Sequence, residues 1–117
     1  MQFINKSILF AGFLFFLISC SNKKEKLPDG ILKKEAMVAV MIDIQLADAA
    51  VNLSNYGQTN FPNDKEKLFQ SIYLKHAINK EIFDASFAYY TAHPEEFEKI
   101  YDDVITGLSS KQAELAK

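Results

Sequence analysis

Apolar residues recur at three- and four-residue steps through most of the sequence between residues 33 and 108. This spacing places apolar side chains on one face of a helix, whereas a half-buried strand needs strict alternation of apolar and polar residues. No convincing alternation of that kind is present. The sequence therefore predicts an all-α fold, in the form of a small four-helix domain.

The first predicted helix runs from about Lys33 to Leu53 and is the most apolar of the four. One stripe along it consists of Met37, Val40, Met41, Ile44 and Val51. A second stripe consists of Val38, Ile42, Ala49 and Leu53. A helix that is apolar on several sides usually packs against more than one neighbour, so we expect this helix to be central.

Turn and cap residues separate the other three helices. A long loop covers Ser54–Pro62, and Asn63 precedes Glu66 by three positions, which predicts a capped second helix ending near Ala77. Its expected apolar face comprises Leu68, Phe69, Ile72, Tyr73 and His76. Asn79 is the expected cap of the third helix, whose inward stripe is predicted to be Phe83, Phe87 and Tyr90. His93 and Pro94 open the fourth helix, and the polar residues 109–117 are predicted to fray.

The amino terminus carries the pattern of a cleaved signal. Lys6 precedes an apolar run over Ser7–Ile18, which as a helix reaches about 18 Å and is too short for a bilayer core of about 30 Å. The run ends in Leu17-Ile18-Ser19-Cys20, which contains the only cysteine and resembles the bacterial lipobox. That resemblance implies cleavage before Cys20 and a lipid on its sulfur. We therefore predict a lipoprotein signal peptide over 1–19, a lipidated tether over 20–30, a helical domain over 31–108 and a polar tail over 109–117.

The expected surroundings follow from this signal and from the charge. A lipid on Cys20 makes a membrane the first predicted partner. By resemblance to bacterial lipoprotein sorting, Ser21 after the cysteine favours the outer membrane, and the absence of an acidic cluster in the tether favours its periplasmic side. The formal net charge is −2 with no basic face, which argues against nucleic acid as a partner.

Three stretches resemble a small lipoprotein family of the Bacteroidetes that is known only as a domain of unknown function. The first is Met37–Ala50, with the core Met-Ile-Asp-Ile-Gln-Leu-Ala-Asp-Ala. The second is Tyr-Leu-Lys-His-Ala-Ile over 73–78 followed by 81–90, and the third is Pro-Glu-Glu-Phe-Glu-Lys-Ile-Tyr over 94–101. The resemblance extends over about residues 28–108 and implies a helical lipoprotein without an assigned activity or catalytic residue. The family pattern has glycine where this chain has Ala77, and glycine would suit a left-handed helix end.

Sequence motifs for catalysis, metals or cofactors are absent. The two histidines, His76 and His93, lie at helix ends, and no metal-binding spacing, nucleophile elbow, phosphate loop or dinucleotide motif occurs. We therefore expect a protein that is not an enzyme and that has no metal and no cofactor. A hydrolase assembled from dispersed residues is the least favoured hypothesis.

Four residues are the candidates for binding a partner or ligand: Asp48, Tyr56, Phe61 and Tyr89. Asp48 falls inside the apolar stripe of the first helix, where it is either a ligand-binding acid or a structural carboxylate bonded to a tyrosine, a lysine or a helix start. Asp43 is expected to be solvated or to cap a neighbour. Tyrosine is common at protein-binding patches, although partial exposure alone needs no function.

These observations lead to two main hypotheses. The first is a non-catalytic, membrane-anchored interaction module that docks against an envelope protein or an unfolded client. A flat aromatic patch around Tyr56, Phe61 and Tyr89 would favour it. The second is a small-ligand or lipid-binding domain with an apolar pocket near Asp48.

Overall fold

The computed structural model describes residues 26–57 and 64–117, and these form four α-helices without a strand. The helices are α1 (Lys34–Asn55), α2 (Lys65–Lys75), α3 (Lys80–Thr91) and α4 (Pro94–Leu115). The all-α prediction is confirmed, and each helix begins within two residues of its predicted start. The predicted signal peptide and Cys20 lie outside the described residues.

The central position of α1 is also confirmed. Both α2 and α4 pack against α1, while α3 packs against both α2 and α4. One core cluster is built from Met37, Met41, Tyr90, Ile100 and Val104, and a second from Val40, Ala47 and Ile72. Because α1 contributes to both clusters, it holds the two halves of the core together.

The α1 helix is long and apolar enough to cross a membrane by length and composition, with a mean hydropathy of 1.6. The core helix of a soluble domain can meet the same criteria. In this fold Met37 and Val40 are completely buried, and Met41, Ala47 and Val51 are nearly so. The first predicted stripe is therefore the packed face, with Ile44 half-buried, while Leu53 of the second stripe is exposed.

Side-chain caps begin the two middle helices. Asn79 accepts a hydrogen bond from the backbone N–H of Ile82, which confirms it as the cap of α3. The cap of α2 is Asp64, which accepts from the N–H of Lys67, one residue after the predicted Asn63. Asn63 itself lies outside the described residues. The positive end of the helix dipole also stabilises the negative carboxylate, which makes aspartate an effective cap.

The segment that enters α1 is held to α3 by two hydrogen bonds, which we call the Leu32 clamp. The backbone N–H of Leu32 donates to Ser86 Oγ at 2.8 Å, and the hydroxyl of Tyr90 donates to the Leu32 carbonyl at 2.6 Å. Ser86 is completely buried and donates in turn to the Ile82 carbonyl. The prediction of Phe87 on the inward stripe of α3 is wrong, since Phe87 is 40% exposed and Ser86 occupies the buried position. The backbone N–H of Leu32, which needs a hydrogen-bond acceptor, explains the serine.

The fourth helix continues to Leu115, so the predicted fraying of residues 109–115 is wrong. These residues are exposed, as their polarity implies. Lysine, glutamine, alanine, glutamate and leucine at 111–115 are all strong helix formers, and intrinsic propensity extends the helix beyond the packed region.

The α2 helix ends at Lys75, and Ala77 beyond it adopts a left-handed backbone with φ of 54°. The N–H of Ile78 donates to the Tyr73 carbonyl and the N–H of Ala77 to the Leu74 carbonyl, which is the pattern of a Schellman helix end. A side chain with a Cβ is strained in this conformation, whereas glycine is not.

We therefore expect Ala77→Gly to raise the free energy of unfolding by about 0.5–1 kcal/mol. The variant is expected to be more stable because glycine relieves the backbone strain in the folded state. Urea denaturation of the two proteins at equal concentration measures the difference. Ala92→Gly is a matched control because Ala92 follows α3 with a right-handed φ of −79°. The control should not gain stability, and a gain of equal size there would contradict the proposed cause.

Candidate functional site

A groove lies between α2 and the start of α3, and we call it the α2–α3 groove. Its volume is about 580 Å³, and it is partly open to solvent. Residues 66, 69, 70, 73 and 74 contribute from α2, at the three- and four-residue steps of one helix face. The turn at Ala77 reverses the chain and brings residues 78–81 alongside as the second wall.

Some apolar residues of this groove are packed into the core, and one is exposed to solvent. Tyr73 is buried, and its ring lies 5.7 Å from that of Phe83. Phe69 and Ile78 are half-buried and pack against the second core cluster. Leu74, in contrast, is 78% exposed. A floor anchored in the core and an exposed leucine at its edge are features of a surface that receives an apolar side chain.

The polar lining of the groove carries an excess of negative charge. Lys80 forms an ion pair with Asp84 one turn along α3, and this hydrogen bond raises the pKa of Lys80 above its usual value. Glu66 and Glu81 also line the groove, and neither forms an ion pair within residues 26–57 and 64–117. Burial raises the pKa of Tyr73, so its hydroxyl is neutral near pH 7.

Asp43, Lys75 and His76 form a partly buried cluster, which we call the Asp43 cluster, and it fastens the end of α2 to α1 next to the groove. Asp43 Oδ2 lies 2.7 Å from His76 Nε2 and accepts a hydrogen bond from Lys75 Nζ at 2.8 Å. The Asp43 side chain is only 17% exposed. Burial alone would raise the pKa of Asp43, but the hydrogen bonds from Lys75 and His76 outweigh it and hold this pKa below its ordinary value. The expectation that Asp43 is solvated or caps a neighbour is wrong.

Asp48 lies on the rim of the fold. Its side chain is 39% exposed and bonds to Lys65 and Asn52. This is the arrangement of a rim carboxylate bonded to a lysine, one of the structural alternatives for this residue. Asp48 does not line the α2–α3 groove, although its partner Lys65 lies over the Phe69 ring at 5.4 Å. The pocket beside Asp48 stays a prediction, since the groove described above is a different surface.

The aromatic candidates do not form one patch in the described part of the chain. Tyr56 is exposed just after the end of α1. Tyr89 is half-buried and stacks on the His93 ring at 4.2 Å, close to the Leu32 clamp at the other end of α1. A helix of the length of α1 separates these ends by about 33 Å. Phe61 lies outside the described residues.

The two histidines also serve separate parts of the fold. His76 bonds to Asp43, and His93 Nδ1 lies 2.6 Å from the Tyr89 carbonyl. Within residues 26–57 and 64–117 no three histidine, cysteine or carboxylate side chains come together in a way that could hold a metal ion.

Comparison with known protein families matches residues 28–114 to a family described as "Domain of unknown function (DUF4296)". The chain belongs to this family. The match confirms the resemblance drawn from the three sequence stretches to a domain of unknown function and covers all four helices almost to the end of α4. No curated protein and no solved structure gives a significant match.

The groove of this DUF4296 domain was not among the features predicted from the sequence. A signal for it does exist in α2, where Leu68 and Ile72 face the core while Phe69 and Tyr73 extend the apolar surface sideways. Two adjacent apolar residues in each turn make a face wider than a single neighbouring helix covers. The turn at Ala77, which supplies the second wall, cannot be placed from that pattern.

Proposed function

We propose that this DUF4296 domain is a non-catalytic protein-interaction module, anchored to the outer membrane through a lipid on Cys20 and facing the periplasm. The observation that carries the interaction role is the α2–α3 groove. It combines a core-anchored floor of Phe69, Tyr73 and Ile78 with the exposed Leu74. Grooves of this kind accept the apolar face of a helix or an extended segment from another protein.

The anchor is supported by the sequence ahead of the domain. Cys20 follows a short apolar run, and the polar residues 21–26 separate it from the first packed residues, Leu27 and Ile31. A tether of this length keeps the domain within a few nanometres of the bilayer. A partner in the same membrane is then met at high effective concentration, which favours even a weak groove contact.

The non-catalytic role is supported by the chemistry of the only described histidine–carboxylate pair. His76 Nε2 bonds to Asp43, and the third group in that cluster is the ammonium of Lys75. A nucleophile activated by histidine needs a hydroxyl or thiol within hydrogen-bonding reach of the free ring nitrogen. The hydrogen bonds of Ser71 and Ser86 go instead to the carbonyls of Leu68 and Ile82.

A small ligand or a lipid is the second candidate for the same groove. A volume of about 580 Å³ falls within the range of roughly 300–1,000 Å³ that is usual for small-molecule sites. A protein partner is preferred because the groove is partly open to solvent and its edge residue Leu74 is largely exposed. A small-ligand pocket normally buries most of its occupant.

The anchor is tested by replacing the lipidated cysteine. We expect Cys20→Ser to abolish incorporation of labelled palmitate and to prevent processing of residues 1–19. Ser19→Ala retains a small residue before the cysteine and is the matched control. Unchanged labelling and unchanged processing in Cys20→Ser would contradict the lipoprotein assignment.

The interaction role is tested by crosslinking in the native envelope. A photo-crosslinking amino acid at position 74 in the groove is expected to capture a reproducible protein partner. The same group at position 105 is the control, because Ile105 is 50% exposed but lies on α4 away from the groove. Capture of a lipid or small molecule at position 74 would favour the second candidate, and equal capture at both positions would contradict the groove as the contact surface.

A further inference from the structure

The charges around the α2–α3 groove indicate what kind of segment it binds. We propose that its partner is an apolar protein segment flanked by basic residues, with an apolar stretch about two helical turns long. This proposal rests on the interaction role of the groove described above. It adds the chemistry that would distinguish the partner from other apolar segments.

The length of the partner's apolar stretch follows from the positions of Glu66 and Glu81 along the groove. Glu66 lies in the first turn of α2 at one end of the groove, and Leu74 lies eight residues later, which corresponds to about 12 Å along the helix. Glu81 lies in the first turn of α3, three residues after Ile78, on the wall next to Leu74. The two acids therefore lie at opposite ends of the apolar lining, which consists of the exposed edge residue Leu74 and the floor of Phe69, Tyr73 and Ile78.

The positive charge expected on the flanks of the partner follows from the ion pairs around the groove. Two cations at the groove are already engaged. Lys80, which lines it, pairs with Asp84, and Lys65, which lies over the Phe69 ring, pairs with Asp48. Glu66 and Glu81 have no such counter-ion among the described residues. A basic group at each end of the partner would complement these acids, whereas an acidic flank would be repelled.

The proposal can be tested with two synthetic peptides of about ten residues, a length that spans the groove as a helix. Both have the same leucine–alanine centre, one with lysines at each end and the other with glutamates. Binding to the complete mature protein in zwitterionic nanodiscs is followed by fluorescence anisotropy, and empty nanodiscs correct for lipid binding. We expect the lysine peptide to bind at least about tenfold more tightly at low salt, with a smaller preference at high salt.

Variants then assign that preference to the groove. Glu66→Gln combined with Glu81→Gln should reduce the preference to less than about threefold, whereas Glu98→Gln combined with Glu114→Gln on the exposed side of α4 should leave it unchanged. Leu74→Ala should weaken both peptides alike. Equal binding of the two peptides would overturn the basic-flank proposal while leaving the groove as a docking surface. Loss of the preference in the α4 control would overturn it too, and failure of both peptides to bind would overturn it together with the groove.

Discussion

Replacing Ile100 by alanine is expected to lower the free energy of unfolding by about 2–5 kcal/mol. Ile100 is completely buried in the first core cluster, between Met37 and Met41 of α1 and Tyr90 of α3. The loss combines the transfer free energy of the removed methyl and methylene groups with the cost of the cavity they leave. Small domains have little stability in reserve, so this change can unfold a large fraction of the protein.

Ile105→Ala is the matched control for this prediction. It removes the same atoms from the same helix, but Ile105 is 50% exposed. We expect it to cost less than about 1 kcal/mol, as surface substitutions usually do. Urea denaturation of the three proteins gives the comparison. Similar losses for the two variants would show that the buried face of α4 has been assigned incorrectly.

Asp43→Ala is expected to lower the free energy of unfolding by about 1.5–3 kcal/mol, the usual range for a hydrogen bond to a charged group. The substitution removes the acceptor shared by His76 and Lys75 and leaves a largely buried imidazole without its partner. Asp84→Ala removes an ion pair of the exposed i, i+4 type from α3 and should cost no more than about 0.5 kcal/mol. Equal losses would show that the Asp43 cluster behaves as an ordinary surface pair.

The stability difference between the original protein and Asp43→Ala should also depend on pH. The pKa of Asp43 is lower in the folded protein than its ordinary value, so its contribution to stability is present above the unfolded carboxyl pKa of about 3.9 and is lost as the pH falls through the lower folded value. The stability difference between the original protein and Asp43→Ala should therefore shrink as the pH falls below about 4. A difference that grew as the pH fell through this range would have the wrong sign for this mechanism.

The helices and the packed face of α1 could be predicted from the sequence because they depend on local information. The steps between Met37, Val40, Met41 and Val51 place these side chains on one face whatever lies opposite. The cap at Asn79 is equally local. The end of α4 was missed for a related reason, since polarity indicates exposure but says little about whether good helix formers continue a helix.

The two aspartates of α1 show where sequence reasoning stops. A helical wheel places Asp48 within the apolar stripe and Asp43 outside it, but the wheel does not show which neighbour covers each position. The end of α2 covers Asp43 through His76 and Lys75. Asp48 lies towards the end of α1, where it bonds to Lys65 from α2 and to Asn52 one turn along α1. The groove was missed for the same reason, because its second wall depends on the direction of the chain after Ala77.

The Leu32 clamp determines how mechanical load on the amino terminus would enter the domain. If the chain is suspended from a bilayer, tension in the tether reaches Leu32 before it reaches α1. Ser86 and Tyr90 lie one turn apart on α3 and bond to the N–H and the carbonyl of Leu32. The two hydrogen bonds would therefore share the load instead of breaking one after the other. Membrane movement would then pull on the domain as a whole, and the central helix would be protected from being peeled away from its neighbours.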